Sequence, residues 1–349
     1  MHSPPLASSQ RVKIPSACLT EAPLRPVRAG GSGTARPPRR TPGTAVARVT
    51  RTDPSHGADR VVWSKSYGQQ SADEAPPAGP TQGAHVSQQP AETVLTGVRN
   101  FRDVGGLPTA DGRRVRQGVL FRSGHLAHAT QQDADFLTGL GLHTVFDFRN
   151  SADQALEGPD IALPGVRNVN IPLSDPADGA DFWQMVRDGE LDQLRAALGD
   201  GQAADRMVHS YRTIVTGRTA EHGRLLHALA EDSVPALMHC AAGKDRAGLS
   251  IAVTLLALGV RREAIEADYL ESNSPHRRYK VHRSSKSQAG MSPEVMELLA
   301  PLFDARAAYL DAAFTAIHET WGDVDSYLSK GLRLTEGTRD RLRARLLED

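Results

Sequence analysis

Ten residues, His239-Cys-Ala-Ala-Gly-Lys-Asp-Arg-Ala-Gly248, set one cysteine and one arginine with five residues between them, Cys240 and Arg246. A short apolar run, Val234 to Met238, precedes them, and a longer one, Leu249 to Leu258, follows. That order predicts a strand, a tight loop and a helix. A loop at a helix N-terminus holds backbone N–H groups without intrahelical partners, so it is a natural anion site. A cysteine in such a field has reason to be a thiolate, and a thiolate is a nucleophile.

The chemistry this implies is phosphoryl transfer. A phosphate monoester over the loop needs donors around its outer oxygens. The successive N–H groups of Cys240, Ala241, Ala242, Gly243, Lys244, Asp245 and Arg246 would supply them as an anion nest. Gly243 permits a path that a side chain would block. Arg246 can grip two oxygens with its fixed fork. Cys240 would then attack phosphorus, and water would hydrolyse the phosphocysteine. This scheme calls for no metal and no cofactor. His239 is expected to hydrogen-bond backbone and order the loop. Lys244 is expected to reach further phosphate groups. Asp245 is a candidate to orient Arg246, position water or act as acid. The leaving oxygen needs a proton from another segment. Asp175, in Pro172-Leu-Ser-Asp-Pro, is the candidate, with Asp178 and Asp181 competing. The plain alternatives are a buried structural cysteine, solvated loop charges and a turn aspartate beside proline.

Strands that could position this loop are predicted at Val94–Val98, Val115–Arg122, Thr144–Arg149 and Val166–Ile171, besides 234–238. Thr130 can cap a helix over Gln131–Leu140, which Gly141 would end. Helical patterns recur at 182–186, 191–198 and 206–216, and again from Thr219. Others cover Arg261–Leu270, a start at Ser292-Pro293, Asp304–Trp321 and Thr335–Leu347. Alternating strands and helices predict an α/β fold, three-layered, with a central mostly parallel sheet flanked by helices. In such sheets ligands sit at the carboxyl ends of strands, where Arg149 and Cys240 both fall.

The 349 residues carry no net formal charge, but it is unevenly spread. Residues 1–50 hold eight Lys or Arg and one acidic residue, while the other 299 hold 33 basic and 40 acidic. Nothing in the main body asks for a nucleic-acid partner. Residues 1–90 hold 13 of the 22 prolines and few periodic apolar residues, so they are expected to form a disordered Pro/Gly/Arg-rich extension. The two cysteines, Cys18 and Cys240, make no disulfide framework. No Cys and His cluster has zinc-like spacing. No apolar run approaches the ~20 residues of a membrane span, and Met1-His-Ser-Pro-Pro-Leu-Ala does not read as a signal peptide. A reducing, cytoplasmic setting suits the thiol. Export by a non-classical route is the other localisation compatible with these features.

With these residues in view, the chain from about residue 93 resembles the bacterial Cys-dependent tyrosine-protein phosphatases. The stretches that carry the likeness are Asn100-Phe-Arg-Asp-Val-Gly-Gly106, Leu120-Phe-Arg-Ser123, Val145-Phe-Asp-Phe-Arg149 and the His239–Gly248 loop. Ala267-Asp-Tyr-Leu270 with Ser272-Asn273, and Asp325-Ser-Tyr-Leu328, extend it. The resemblance implies a tyrosine-phosphatase domain over 91–349 with a helical lid at about 178–216. It implies Cys240 as nucleophile, Arg246 as phosphate ligand and Asp175 as acid candidate. It implies phosphotyrosyl proteins or peptides as substrates. Some members also accept phosphoserine, phosphothreonine or phosphoinositides. Lys244-Asp245 beside Arg246 is similar to the family's distinguishing signature. Arg102, Asp103 and Arg149 are expected to brace the loop through ion pairs. A phosphoinositide phosphatase is the alternative, with Arg277-Arg278 as added cations. A phosphate-binding module with weak turnover is another. Two departures stand out. Ala247 replaces the hydroxyl residue usual after the arginine, which predicts slow phosphocysteine hydrolysis. Asn150 and Asp153 replace a common Ser and Glu, and are expected to lie behind the residues that touch substrate.

Overall fold

The computed structural model describes residues 94–175, 179–279 and 291–349, all within one unit spanning 84–349. Its strands are β1 (Arg102–Asp103), β2 (Arg114–Val115), β3 (Leu120–Ser123), β4 (Thr144–Asp147), β5 (Arg167–Asn170), β6 (Ala236–His239) and β7 (Leu347–Glu348). The main sheet runs β1-β3-β6-β4-β5. β3, β6, β4 and β5 are parallel, and only the edge strand β1 is antiparallel. The small β2–β7 pair is separate.

The helices are α1 (Gln131–Gly139), α2 (Ser151–Glu157), α3 (Ala180–Asp188), α4 (Leu191–Leu198), α5 (Gln202–Gly217) and α6 (Thr219–Glu231). They continue as α7 (Arg246–Leu258), α8 (Arg262–Leu270), α9 (Pro293–Phe303), α10 (Ala307–Trp321), the single turn α11 (Val324–Ser326) and α12 (Glu336–Leu346). Two apolar layers sandwich the sheet. One joins Met238, Cys240 and Phe146 to α5, α6, α7, α9 and α10. The other joins Leu237, Val145 and Phe121 to Leu137 of α1 and the segment 95–101. Strand alternation assigns neighbours on β6 to opposite layers. The α/β architecture expected from the sequence is therefore observed: a mostly parallel sheet between helices, with added helices at 180–217.

Helix α7 is apolar nearly all round and is buried from Ala247 to Leu255. That burial fixes the helix rigidly at the end of β6, since each fully buried Leu or Ile contributes roughly 1.5–3 kcal/mol. At α1, Thr130 and Asp133 form the reciprocal capping box, as the Thr130 start predicts. Two expectations fail. Val94–Val98 is not a strand. The N–H groups of Thr96 and Gly97 are instead spent on the Asp133 carboxylate, at 2.9 and 2.8 Å. The run Val115–Arg122 is broken into β2 and β3 by a turn whose Gly118 has φ +73°. Residues 1–90, including Cys18, lie outside the described residues.

His222 of α6 is buried, its Nε2 3.5 Å from Ser250 Oγ of α7. Burial pushes this imidazole down from 6.5 to about 4. The stability it confers is complete above the unfolded value and is lost as pH falls from there toward about 4, because the unfolded chain gains a proton that the folded one refuses. Urea denaturation at pH 7 and pH 5 should show wild type losing on the order of 1–2 kcal/mol more than His222→Gln. Equal losses would reject the assignment.

Candidate active site

β6 carries the chain to the carboxyl edge of the sheet, and α7 leaves from it. The connecting loop, Cys240 to Asp245, is held from outside by its carbonyls. The Ala241 oxygen accepts from the His125 N–H at 3.2 Å. The Ala242 oxygen accepts from Asn100 Nδ2 at 3.2 Å. The Gly243 and Lys244 oxygens accept from Arg122 Nη2 at 2.7 and 3.3 Å. Four consecutive carbonyls are thus engaged. Among the described residues, none accepts from the N–H groups of Ala241 to Asp245. Those donors remain uncommitted at the start of α7, which is the composition of an anion nest. Gly243 has φ +69°, and a Cβ there would come within 2.4 Å of the Ser123 backbone. Only glycine meets both demands.

Behind the loop lies a buried ion cluster. Arg122 Nη1 donates to Asp268 Oδ2 at 2.6 Å, and Arg102 Nε donates to Asp268 Oδ1 at 2.7 Å. Arg102 Nη1 donates to Asn100 Oδ1 at 2.5 Å, which orients the amide that holds Ala242. Burial works to raise the Asp268 carboxyl, but Arg122 and Arg102 outweigh it and hold it below the usual carboxylate range. Arg102 therefore reaches the loop through Asp268 and Arg122. Asp103 does not share in this. Its carboxylate accepts from Gly105 N and Gly118 N at 2.8 and 2.7 Å, on the exposed side of the β1–β3 corner.

Cys240 is a free thiol, 2% exposed, facing the α7 layer. Arg246, the first residue of α7, pairs with Asp153 and donates to Ser174 Oγ at 3.2 Å. Burial alone would lower the Arg246 guanidinium; Asp153 first, then Cys240, raise it above its ordinary value. Asp153 is set by the capping box of α2, its Oδ2 accepting from Asn150 N at 3.0 Å. Asn150 in turn donates to Ser174 Oγ and to the Asp175 carbonyl, at 3.1 and 3.3 Å. Asp153 is thus a direct partner of Arg246. Its position in the sequence gave no hint of this, because the contact joins residues 93 apart.

The other predicted residues fall as follows. His239, the last residue of β6, faces the other side of the sheet from Cys240, with Nε2 3.1 Å from Asp160 Oδ2 and off hydrogen-bond alignment. The backbone bonds expected of it are not made, because strand alternation turns it away from the loop. Arg149 pairs with Asp147 and Asp160 beneath His239, at 3.0 and 2.7 Å. Lys244 Nζ donates to the Leu302 and Asp304 carbonyls at 2.9 and 3.0 Å, closing the end of α9, and meets Asp245 Oδ1 at 3.0 Å. Asp245 Oδ1 also accepts from the Tyr211 hydroxyl of α5 at 2.6 Å, and Tyr211 lies 2.7 Å from the Tyr269 hydroxyl. Burial first, then Asp245, pushes both phenols up, so they stay protonated donors. Asp175 is exposed and immediately follows Ser174 at the Arg246 side of the site. Asp181 is exposed on the first turn of α3, and Asp178 lies outside the described residues. Sequence reasoning missed Asn100, Arg122, Asp268, Tyr211 and Ser174 as parts of the site. Three of them stood inside the matched stretches, whose clustering around one loop was the available signal.

A family model described as "Tyrosine phosphatase family" matches residues 93–348. The chain belongs to that family. Among its relatives is a Cupriavidus necator protein, provisionally named a tyrosine-protein phosphatase, 36% identical over 272 residues. That match covers 75% of this chain and 89% of the relative. The triple specificity protein phosphatase PtpB of Mycobacterium tuberculosis is 33% identical over 278 residues, covering 72% of this chain and 98% of PtpB. A tyrosine-protein phosphatase of Nostoc commune is 23% identical over 255 residues, covering 68% of this chain and 78% of the relative. The family match spans nearly all the described elements, from the segment before β1 to β7. Among the described residues, no helix is long and apolar enough to cross a membrane.

Proposed function

We propose that this family member is a cysteine-dependent protein-tyrosine phosphatase working through a phosphocysteine intermediate. The observation that carries the reading is a buried free thiol and a half-buried, ion-paired arginine at the two ends of a loop whose carbonyls are tied outward and whose N–H groups are uncommitted. A phosphate dianion in the nest takes hydrogen bonds from those N–H groups and from Arg246, in competition with Asp153. Cys240 Sγ, as thiolate, forms the S–P bond while the P–O bond to the leaving group breaks. The departing oxygen takes a proton, for which Asp175, one residue from the Arg246 ligand Ser174, is the proposed donor. Water then attacks phosphorus, the S–P bond breaks, and inorganic phosphate leaves with the thiolate restored. The preorganised donors favour charge on the equatorial oxygens in both steps.

Phosphotyrosine suits the site better than a polyphosphorylated head group. The cations that could serve added phosphate groups have partners elsewhere. Lys244 is held by two carbonyls and Asp245, Arg277 pairs with Glu271 at 2.8 Å, and Arg278 pairs with Asp304. Phosphoserine and phosphothreonine are the next substrates to test. The metal-free enzyme, in EDTA, should turn over p-nitrophenyl phosphate and prefer phosphotyrosyl peptides to phosphoinositides. Turnover that requires an added metal would reject the mechanism, and a preference for phosphoinositides would reject the substrate class.

Ala247 is buried in the same apolar layer as Cys240 and has no hydroxyl to offer the sulfur. Phosphocysteine hydrolysis should therefore limit turnover, giving a burst of p-nitrophenol before the steady rate. Ala247→Ser should raise the steady rate by about tenfold, the worth of one hydrogen bond to a developing thiolate. A linear progress curve in wild type would contradict this.

A further inference from the structure

The spacing of histidines along the chain shows no zinc pattern, yet the fold gathers three ligand-bearing side chains outside the proposed catalytic site. His125 and His128 lie between β3 and α1, and Glu157 is the last residue of α2. Their ligand atoms all lie within 4.8 Å of one another. His125 Nε2 is 3.2 Å from Glu157 Oε2, close to the edge of a tetrahedron whose metal–ligand bonds are about 2.0–2.1 Å. The two imidazoles meet edge to face, with ring centroids 5.0 Å apart. His125 is buried, and its Nδ1 has no hydrogen-bond partner among the described residues. The Tyr279 hydroxyl donates to Glu157 Oε1 at 3.0 Å, an outer contact that orients the carboxylate. His128 is exposed to solvent.

A second acidic-histidine group, Asp147, Asp160 and His239, has similar spacing but is already filled. Arg149 pairs with both carboxylates there and stands where a cation would sit. No arginine or lysine pairs with Glu157 among the described residues. Two imidazoles and one carboxylate form a donor set for a borderline dication, with Zn²⁺ the leading choice.

We propose that His125, His128 and Glu157 form a Zn²⁺ site beside the phosphate loop. The metal is held by three side chains and completed by water. It is not part of the chemistry at Cys240. Because the His125 backbone N–H donates to the Ala241 carbonyl at 3.2 Å, a metal that anchors the His125 side chain also anchors the start of the loop and couples binding to stability.

The thiol is a competing zinc ligand, so the test uses full-length Cys240→Ser. After dialysis against chelator, Zn²⁺ titration by calorimetry at neutral pH should show binding, accompanied by a rise in Tm. His128→Ala in that background removes an exposed ligand and should weaken binding at least tenfold without changing the metal-free Tm. Glu157→Gln should also weaken binding at least tenfold. Co²⁺ should give d–d bands of a nitrogen and oxygen site in Cys240→Ser that disappear with His128→Ala. Absence of Zn²⁺ binding by Cys240→Ser, or equal affinity with and without His128, would overturn the site. Metal-free turnover of otherwise wild-type His128→Ala should be unchanged, so the result is independent of the catalytic reading.

Discussion

Cys240→Ser should lower p-nitrophenyl phosphate turnover by at least about 10⁴-fold with the fold intact. The serine is nearly isosteric in a site already 2% exposed, so packing changes little. Its hydroxyl is not ionised at neutral pH, so the nucleophile is lost while the nest and Arg246 remain. Phosphate binding should survive and turnover should not. Inorganic phosphate titration alongside the activity assay separates the two. Turnover within about tenfold of wild type would mean that the thiol only fills space.

Asp268→Ala should be the most damaging change away from the thiol. Asp268 is the common partner of Arg102 and Arg122, both buried. Removing it leaves two buried guanidinium groups facing each other without a counter-charge. Breaking one buried pair costs about 3–5 kcal/mol, and this change breaks two that share a carboxylate. Urea unfolding should show a loss of at least that size. Turnover of the folded fraction should fall as well, because Arg122 is what holds the Gly243 and Lys244 carbonyls outward. Asp268→Asn keeps the shape but not the charge and should lie between. The carboxyl is held below its ordinary range, so the stability it confers is present above that range and is lost as pH falls through the folded value. A loss under about 1 kcal/mol for Asp268→Ala would show that the loop does not depend on this cluster.

The candidate site was legible in sequence where its residues sit in one short stretch. The Cys240–Arg246 loop, its strand and its helix were readable because apolar runs on both sides reported burial, and Gly243 reported the tight path. The parallel sheet followed from strands alternating with helices. The partners across the fold were not readable. Asp153 reaches Arg246 through the capping box of a two-turn helix whose polar sequence has no apolar stripe to announce it. Asp268 and Arg122 belong to segments 146 residues apart, and nothing local says that one carboxylate serves two arginines. His239 was misplaced because adjacency in the chain suggested a role within the loop, whereas strand alternation sends neighbours to opposite faces. Lys244 was expected toward substrate and is instead committed to the carbonyls closing α9, an element more than forty residues later in the chain. Val94–Val98 had strand-like composition, but its N–H groups found the Asp133 carboxylate first.

The central claim is that phosphorus passes through a bond to Cys240 Sγ. It is tested most directly by acid-quenching wild type during steady turnover and mapping the phosphoryl group by peptide mass spectrometry. With Ala247 unable to assist sulfur departure, the intermediate should accumulate, and the peptide containing Cys240 should carry one phosphoryl group that Cys240→Ser lacks. Unmodified Cys240 throughout turnover, or a phosphoryl group on a different residue, would contradict the mechanism.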